Sequence, residues 1–153
     1  AATEILATLK QLVDDLQNIE LRSRVARASL FAGLAFSNTK TALAHSVSYP
    51  ITLKYKIPHG LACSFSLPMV LASVIGEDKD CDASLRRIFG DDLNLAVKNL
   101  DHFINSLDVS TRASSYGVQN DEWKALLTEA LRGERGKNFI GSHKSVMKNL
   151  IVS

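Results

Sequence analysis

AFSNTKTALAHSVSYPITLKYKIPHGLACSFSLP, residues 35–68, is the stretch on which the reading of this chain turns. It begins with small and apolar residues at helical spacing and reaches His45. Helical periodicity then fails from Ser46 to Ile57, because Pro50 pushes Tyr49 out of the α region. Thr52 to Tyr55 alternate as a short extended piece would, without a partner strand in view. Pro58 is placed where a helix accepts proline, in a first turn whose N–H groups lack intrahelical acceptors. His59 follows it directly. Two imidazoles fourteen residues apart, each beside a helix end, are thereby positioned to converge.

Outward from this stretch the chain reads as helical scaffolding. Upstream, Ile5, Leu9, Leu12 and Leu16 place an apolar face on a helix over Thr3–Asn18. A second helix is expected from about Glu20 to His45 or Val47, with Phe31 and Phe36 widening its stripe. Its Ala- and Gly-rich part, Ala26–Ala35, would let another helix approach closely. Asn38–Thr41 is its weak point, since Asn and Thr are poor helix-interior residues. Downstream, the apolar run Leu67–Ile75 marks a central helix that Pro68 should kink or split and Gly76 should end. An acidic loop, Glu77–Asp82, leads to expected helices at Ala83–Phe89 and Asp91–Leu107. A short helix ends at Gly117. Asn120 or Asp121 then caps Glu122–Leu131, GERGKNFIG forms a loop packing Phe139 and Ile140 onto the body, and Ser142 caps His143–Ile151. The class is all-α.

Composition narrows the functional classes. Of 153 residues, 46% are hydrophobic and 22% charged, which is globular rather than disordered. Eighteen basic against sixteen acidic residues give a net charge of +2. No basic patch stands out, because Arg22, Arg24 and Arg27 alternate with apolar residues; no nucleic-acid partner is expected. The longest apolar run falls short of the roughly 20 residues of a membrane span. Cys63 and Cys81 are too few for a disulfide framework, so both read as reduced thiols and the location as cytoplasmic. The chain opens on Ala1 inside an apparent helix, as a piece of a longer polypeptide would.

The candidate chemistry is sparse. A step of fourteen positions from His45 to His59 is not a recognised metal spacing, and two histidines hydrogen-bonded to backbone is the plainer reading of spacing alone. Neutral imidazole is nonetheless the form that binds metals. Cys63 lies four residues after His59 on the same helix face, which permits a His/Cys chelate, although a Cys in an apolar helix is more often a small core residue. His102 and His143 read as surface residues. Gly133, Gly136 and Gly141, interleaved with basic residues, suggest an anion loop only weakly, since no strand precedes them. No Ser/His/Asp set or carboxylate pair is evident.

Taken as one string, residues 35–68 resemble the signature of the iron-containing (group III) alcohol dehydrogenases. That pattern runs A-F-x-N, a metal-binding His, a turn, P-H-G with a second metal-binding His, then L-P. The resemblance is specific over about Arg27–Val70, and the helices beyond it agree with the family's C-terminal domain in order and length. It implies a compact all-α multi-helix domain of the dehydroquinate synthase-like type, without a sheet of its own. Residues 1–153 would be a single helical domain, the C-terminal part of a longer two-domain enzyme whose nucleotide-binding domain is not in this chain. His45 and His59 would be metal ligands, and the family's other two ligands, an Asp and a His, lie upstream of the matched region. Tyr49 stands where the family carries a second His near the nicotinamide, which makes it the one catalytic candidate, and no residue here is assigned to cofactor binding.

The implied activity of the whole enzyme is NAD(P)-linked interconversion of a small alcohol and its aldehyde or ketone, with Fe²⁺ or Zn²⁺ as Lewis acid. Leu61 and Phe65 would keep water from the hydride path. With two histidines, the chain alone is expected to bind metal weakly or not at all and to be inactive; a homo-oligomer is compatible with the resemblance. A non-catalytic helical interaction module with structural histidines is the rival reading. A metal-dependent lyase or synthase on the related two-domain fold is a third.

Overall fold

The computed structural model describes residues 1–150, and every regular element among them is helical, as the sequence requires. Contacts group the residues into two compact units, Ala1–Lys40 and Thr41 onward. The joint falls in the stretch that is poor in helix formers. Instead of one helix running on to His45, a helix ends at Ser37 and another starts at Leu43.

The first unit is a helical hairpin of α1 (Ala2–Asp14) and α2 (Ile19–Ser37). Asn18, expected at the end of the first helix, instead caps the second by accepting the Leu21 N–H at 3.1 Å. Arg24 Nε meets Glu4 Oε1 at 2.5 Å and ties the two helices together. Leu30, Phe31, Leu34 and Phe36 are all more than half exposed, and nothing comes within 4 Å of a Cβ built on Gly33. The expected close helix approach is therefore not made at Gly33, whereas Ala28, in the same small-residue stretch, is buried and α2 packs along α1.

The second unit contains α3 (Leu43–Tyr55), α4 (His59–Ser64), α5 (Leu67–Val74), α6 (Lys79–Phe89), α7 (Leu93–Ser106), α8 (Asn120–Arg132) and α9 (His143–Lys148). Short 3-10 turns occupy Ala113–Tyr116 and Gly136–Asn138. Its main core joins Leu43, Val47 and Ile51 of α3 to Phe65, Trp123, Leu127 and Val146. The Phe65 ring lies 5.3 Å from that of Trp123 and 5.2 Å from that of Tyr116. Leu71, Leu93 and Ala96 anchor a smaller cluster where α5 meets α7. Pro68 splits the apolar run as expected: α4 ends, Phe65 and Ser66 turn, and α5 restarts with Pro68 at its second position. Gly76, at φ +82°, follows the end of α5. Asp78 caps α6 by accepting the Cys81 N–H at 2.7 Å, so this helix starts four residues earlier than expected.

The largest departure from expectation is α3. Residues 46–57 do not become a broken turn, because the helix runs through Pro50. Leu43, Val47, Ser48 and Ile51 are all fully buried on one face. Burying three such apolar side chains contributes roughly 5–9 kcal/mol. That exceeds the ~3 kcal/mol an interior proline costs, so tertiary packing overrides the local rule. Both ends of α3 are also fastened. Lys54 Nζ and the Tyr55 hydroxyl donate to the Glu122 carboxylate at 2.5 and 2.6 Å, and Arg135 Nε donates to Thr41 Oγ1 at 3.2 Å. Pro50→Ala gives the Ser46 carbonyl back its helical donor while freeing the unfolded chain by up to ~1 kcal/mol, for a net gain of ~2 kcal/mol. Urea denaturation should read that gain; a loss would mean that the helix depends on the proline ring.

Candidate metal centre

Sequence places His45 in the first turn of α3 and His59 at the first position of α4, just after its N-cap Pro58. Between the two helices Lys56 takes a left-handed conformation, φ +58°, and the buried Ile57 pins the reversal. The chain turns back, and α4 packs along α3. The two histidines consequently meet. His45 Nε2 and His59 Nε2 stand 3.4 Å apart, with ring centroids 4.8 Å apart and planes nearly perpendicular at 88°.

Cys63, one turn beyond His59 on α4, closes the group. Its Sγ lies 3.5 Å from His45 Nδ1 and 3.7 Å from His59 Nε2. One ligand atom from each of His45, His59 and Cys63 lies within 4.8 Å of the others. Neither imidazole hydrogen-bonds to backbone among the described residues, so the plain reading from spacing, histidines serving the main chain, does not describe them.

The supporting residue that sequence reasoning missed is Ser48. It is fully buried, and its hydroxyl donates to the His45 carbonyl at 2.7 Å. Its oxygen is then free to accept from His59 Nδ1, at 3.4 Å the long end of hydrogen bonding. With the Ser48 proton committed to the carbonyl, the His59 tautomer that Ser48 supports is the one with its proton on Nδ1. The Nε2 lone pair is thereby left facing His45. The signal was there in the sequence: Ser48 sits three residues after His45, the same face of a helix, but only if the helix continues through Pro50.

Tyr49 edges both rings, with centroids 5.6 Å from His45 and 5.4 Å from His59, and is 40% exposed. The Arg135 guanidinium lies over the Tyr49 ring, 4.9 Å from its centroid. Burial holds the His45 imidazole below its ordinary pKa, and the nearby His59 and Arg135 charges add to this. A lowered pKa favours the neutral imidazole, the form whose one free nitrogen lone pair binds a metal.

Beside the rings lies a cleft of about 330 Å³ walled by Leu43, Ala44, Leu67 and Val70. Phe65 does not contribute to that wall. It is 1% exposed within the core, which corrects its expected place on the water-excluding side of the site; Leu61 packs against the same core. Two larger clefts, about 510 and 620 Å³, lie elsewhere, lined by groups such as Asp101 and Thr111 or Lys98 and Lys144, and no histidine or cysteine lines either. His102 is exposed, and so is His143, which reaches Thr128 Oγ1 at 3.3 Å. The Gly133–Gly141 loop packs Phe139 onto the core, whereas Ile140 is 52% exposed and does not pack as expected. Among the described residues no helix is long and apolar enough to cross a membrane.

A family model described as Fe-containing alcohol dehydrogenase family, C-terminal, matches residues 1–153. The sulfoacetaldehyde reductase of Bilophila wadsworthia is 28% identical over 145 residues, covering 84% of this chain and 36% of that protein. The 1,3-propanediol dehydrogenase of Citrobacter freundii is 25% identical over 160 residues, covering 95% and 40%. The human mitochondrial hydroxyacid-oxoacid transhydrogenase is 28% identical over 149 residues, covering 83% and 32%. The solved alcohol dehydrogenase from Oenococcus oeni superposes with a TM-score of 0.82 at 20% identity, over 97% of this chain and 42% of that one. That likeness is one of fold. The chain spans about a third to two-fifths of the length of these relatives.

Proposed function

Since the chain belongs to the Fe-containing alcohol dehydrogenase family, we propose that it forms the C-terminal metal- and substrate-binding domain of a two-domain, NAD(P)-linked alcohol dehydrogenase or aldehyde reductase. The approach of two Nε2 atoms to 3.4 Å carries this reading. In a tetrahedral site with metal–nitrogen bonds of ~2.0–2.1 Å, two ligand nitrogens stand roughly 3.3 Å apart. The residues present thus fit Fe²⁺ or Zn²⁺, with the Asp and the further His of the family's set coming from sequence upstream of the matched region. When bound, the metal supplies Lewis acidity to the alcohol or carbonyl oxygen while NAD(P) exchanges hydride.

The chain's own residues have distinct tasks in that scheme. His45 and His59 offer neutral nitrogens, the latter oriented by Ser48. Leu67 and Val70 keep the adjoining cleft apolar. Tyr49 makes no hydrogen bond through its hydroxyl among the described residues, and its ring touches both imidazoles. It would hold a proton at the substrate side, in place of the family's histidine. The relatives' names, a reductase of an aldehyde and a dehydrogenase of a diol, support a small alcohol or aldehyde as substrate.

The test compares two proteins. Supplied with Fe²⁺ or Zn²⁺, NADH and a panel of aldehydes, the 153-residue chain should leave NADH at its background rate. The polypeptide that includes the upstream domain should consume it, and should lose that activity on His45→Ala. Turnover by the chain alone would defeat the division of labour between domains. A longer polypeptide inert toward every aldehyde would defeat the enzyme reading.

A further inference from the structure

We infer that Cys63 is a third metal donor beside His45 and His59, and that its sulfur makes this half-site prefer Zn²⁺ or Co²⁺ over Fe²⁺. The inference rests on the metal reading of the two histidines and concerns the half-site of this chain, taken without the upstream Asp and His, to which it adds a ligand that the family resemblance does not supply. Cys63 is not a core residue. It is partly exposed, and its Sγ lies 3.5 Å from a nitrogen of the His45 ring and 3.7 Å from one of the His59 ring. Cys81, the other free thiol, lies on α6 outside this group.

Geometry favours direct ligation. A metal–sulfur bond of ~2.3 Å and a metal–nitrogen bond of ~2.0–2.1 Å at a tetrahedral angle separate sulfur and nitrogen by roughly 3.6 Å. The Cys63 Sγ to His59 Nε2 distance is 3.7 Å and the two Nε2 atoms are 3.4 Å apart, so these two edges have the length such a site needs; Cys63 Sγ meets His45 at Nδ1, 3.5 Å away, and one ligand atom of each of the three residues lies within 4.8 Å of the others. The spacing of four residues between His59 and Cys63 keeps both side chains on one face of α4. Binding deprotonates the thiol: the sulfur lone pair forms the bond to the metal, and the S–H proton leaves to solvent. Thiolate is a soft ligand. It draws the site toward Zn²⁺ and Co²⁺, which already stand above Fe²⁺ in intrinsic affinity.

Cobalt makes the sulfur visible. Titrating the chain with Co²⁺ should give the visible d–d bands of a low-coordinate site and a near-ultraviolet thiolate-to-cobalt charge-transfer band. Cys63→Ser should abolish the charge-transfer band and weaken Zn²⁺ binding by about 10- to 100-fold or more. Cys81→Ser should leave both unchanged. Zn²⁺ should displace bound Fe²⁺, and the preference should narrow in the Cys63→Ser protein. A charge-transfer band that survives Cys63→Ser would overturn the inference, as would its absence from the unsubstituted chain. If d–d bands appear without charge transfer and vanish in His45→Ala, Cys63 is excluded while the two-histidine reading stands. If the unsubstituted chain takes up no cobalt, the three-donor site is refuted, and the longer polypeptide, with its additional ligands, still tests the enzyme reading separately.

Discussion

His59→Ala should cost the chain at least ~100-fold in Zn²⁺ affinity while leaving its fold intact, since even the groups that merely orient a metal ligand are worth 10–100-fold. The two effects separate because of where His59 sits. It occupies the exposed first position of α4, so truncating the ring opens no core cavity, and alanine suits a helix at least as well. Ser48 keeps its bond to the His45 carbonyl, and no buried group there is orphaned. The metal-free melting curve should therefore move by no more than a surface substitution allows, about 0.5 kcal/mol. Metal-induced stabilisation behaves differently. Zn²⁺ at ~100 times its dissociation constant stabilises the folded chain by ~2.7 kcal/mol, and a 100-fold weaker site at the same concentration retains only ~0.4 kcal/mol. His102→Ala removes the same chemical group from an exposed position on α7 and should change neither quantity. Competition against a chromophoric chelator gives the affinities and a thermal melt gives the stabilisation. Equal Zn²⁺ affinities for His59→Ala and His102→Ala would remove His59 from the metal site.

How much of this could be read beforehand differs from residue to residue. The helical class followed from apolar spacing, and Pro58 and Pro68 punctuated the chain at the places that a proline's fixed φ and missing N–H dictate. Pro50 misled because the same local rule was applied where a fully buried face outweighs it. That one misreading hid the helix carrying His45, Ser48 and Tyr49 together, so Ser48 went unnoticed and Tyr49 was reached only through family resemblance. Cys63 was visible as an i, i+4 partner of His59, but only the reversal at Lys56–Pro58 puts it beside His45 as well. Phe65 was misplaced for a related reason. A helix that is apolar on most sides does not announce which of its large residues face the core, and Trp123 and Tyr116, more than fifty residues away, settle it.

Arg135 reaches Tyr49, and its charge acts on His45, from outside the signature stretch, and the loop that delivers it depends on one glycine. A Cβ on Gly136 would lie 2.3 Å from the Ala130 carbonyl oxygen, 2.4 Å from that of Leu131 and 2.5 Å from the Leu131 carbonyl carbon. All three are backbone atoms at the end of α8, which is held by the core residues Trp123 and Leu127 and cannot yield as a side-chain tip would. Gly136→Ala must therefore push the loop away, at a cost of ~3 kcal/mol or more. For a chain of this size that is a fall of roughly 6–12 °C in Tm. Gly133→Ala is the matched control: its Cβ would meet the Ala130 oxygen at 3.5 Å, an ordinary contact, at an unstrained φ of −73°. It should be close to neutral. The displaced loop also carries Arg135 off Tyr49 and Thr41, and with the guanidinium goes one of the charges that depress the His45 pKa. In Gly136→Ala the His45 ring should titrate closer to its ordinary value than in the parent chain, while in Gly133→Ala it should not move. NMR titration of the histidine ring resonances at a temperature where all three proteins are folded separates this from a general loss of stability. A lowered Tm with an unmoved His45 would mean that the loop holds the domain together without tuning the site, and equal melting of the two alanine variants would deny Gly136 its packing role altogether.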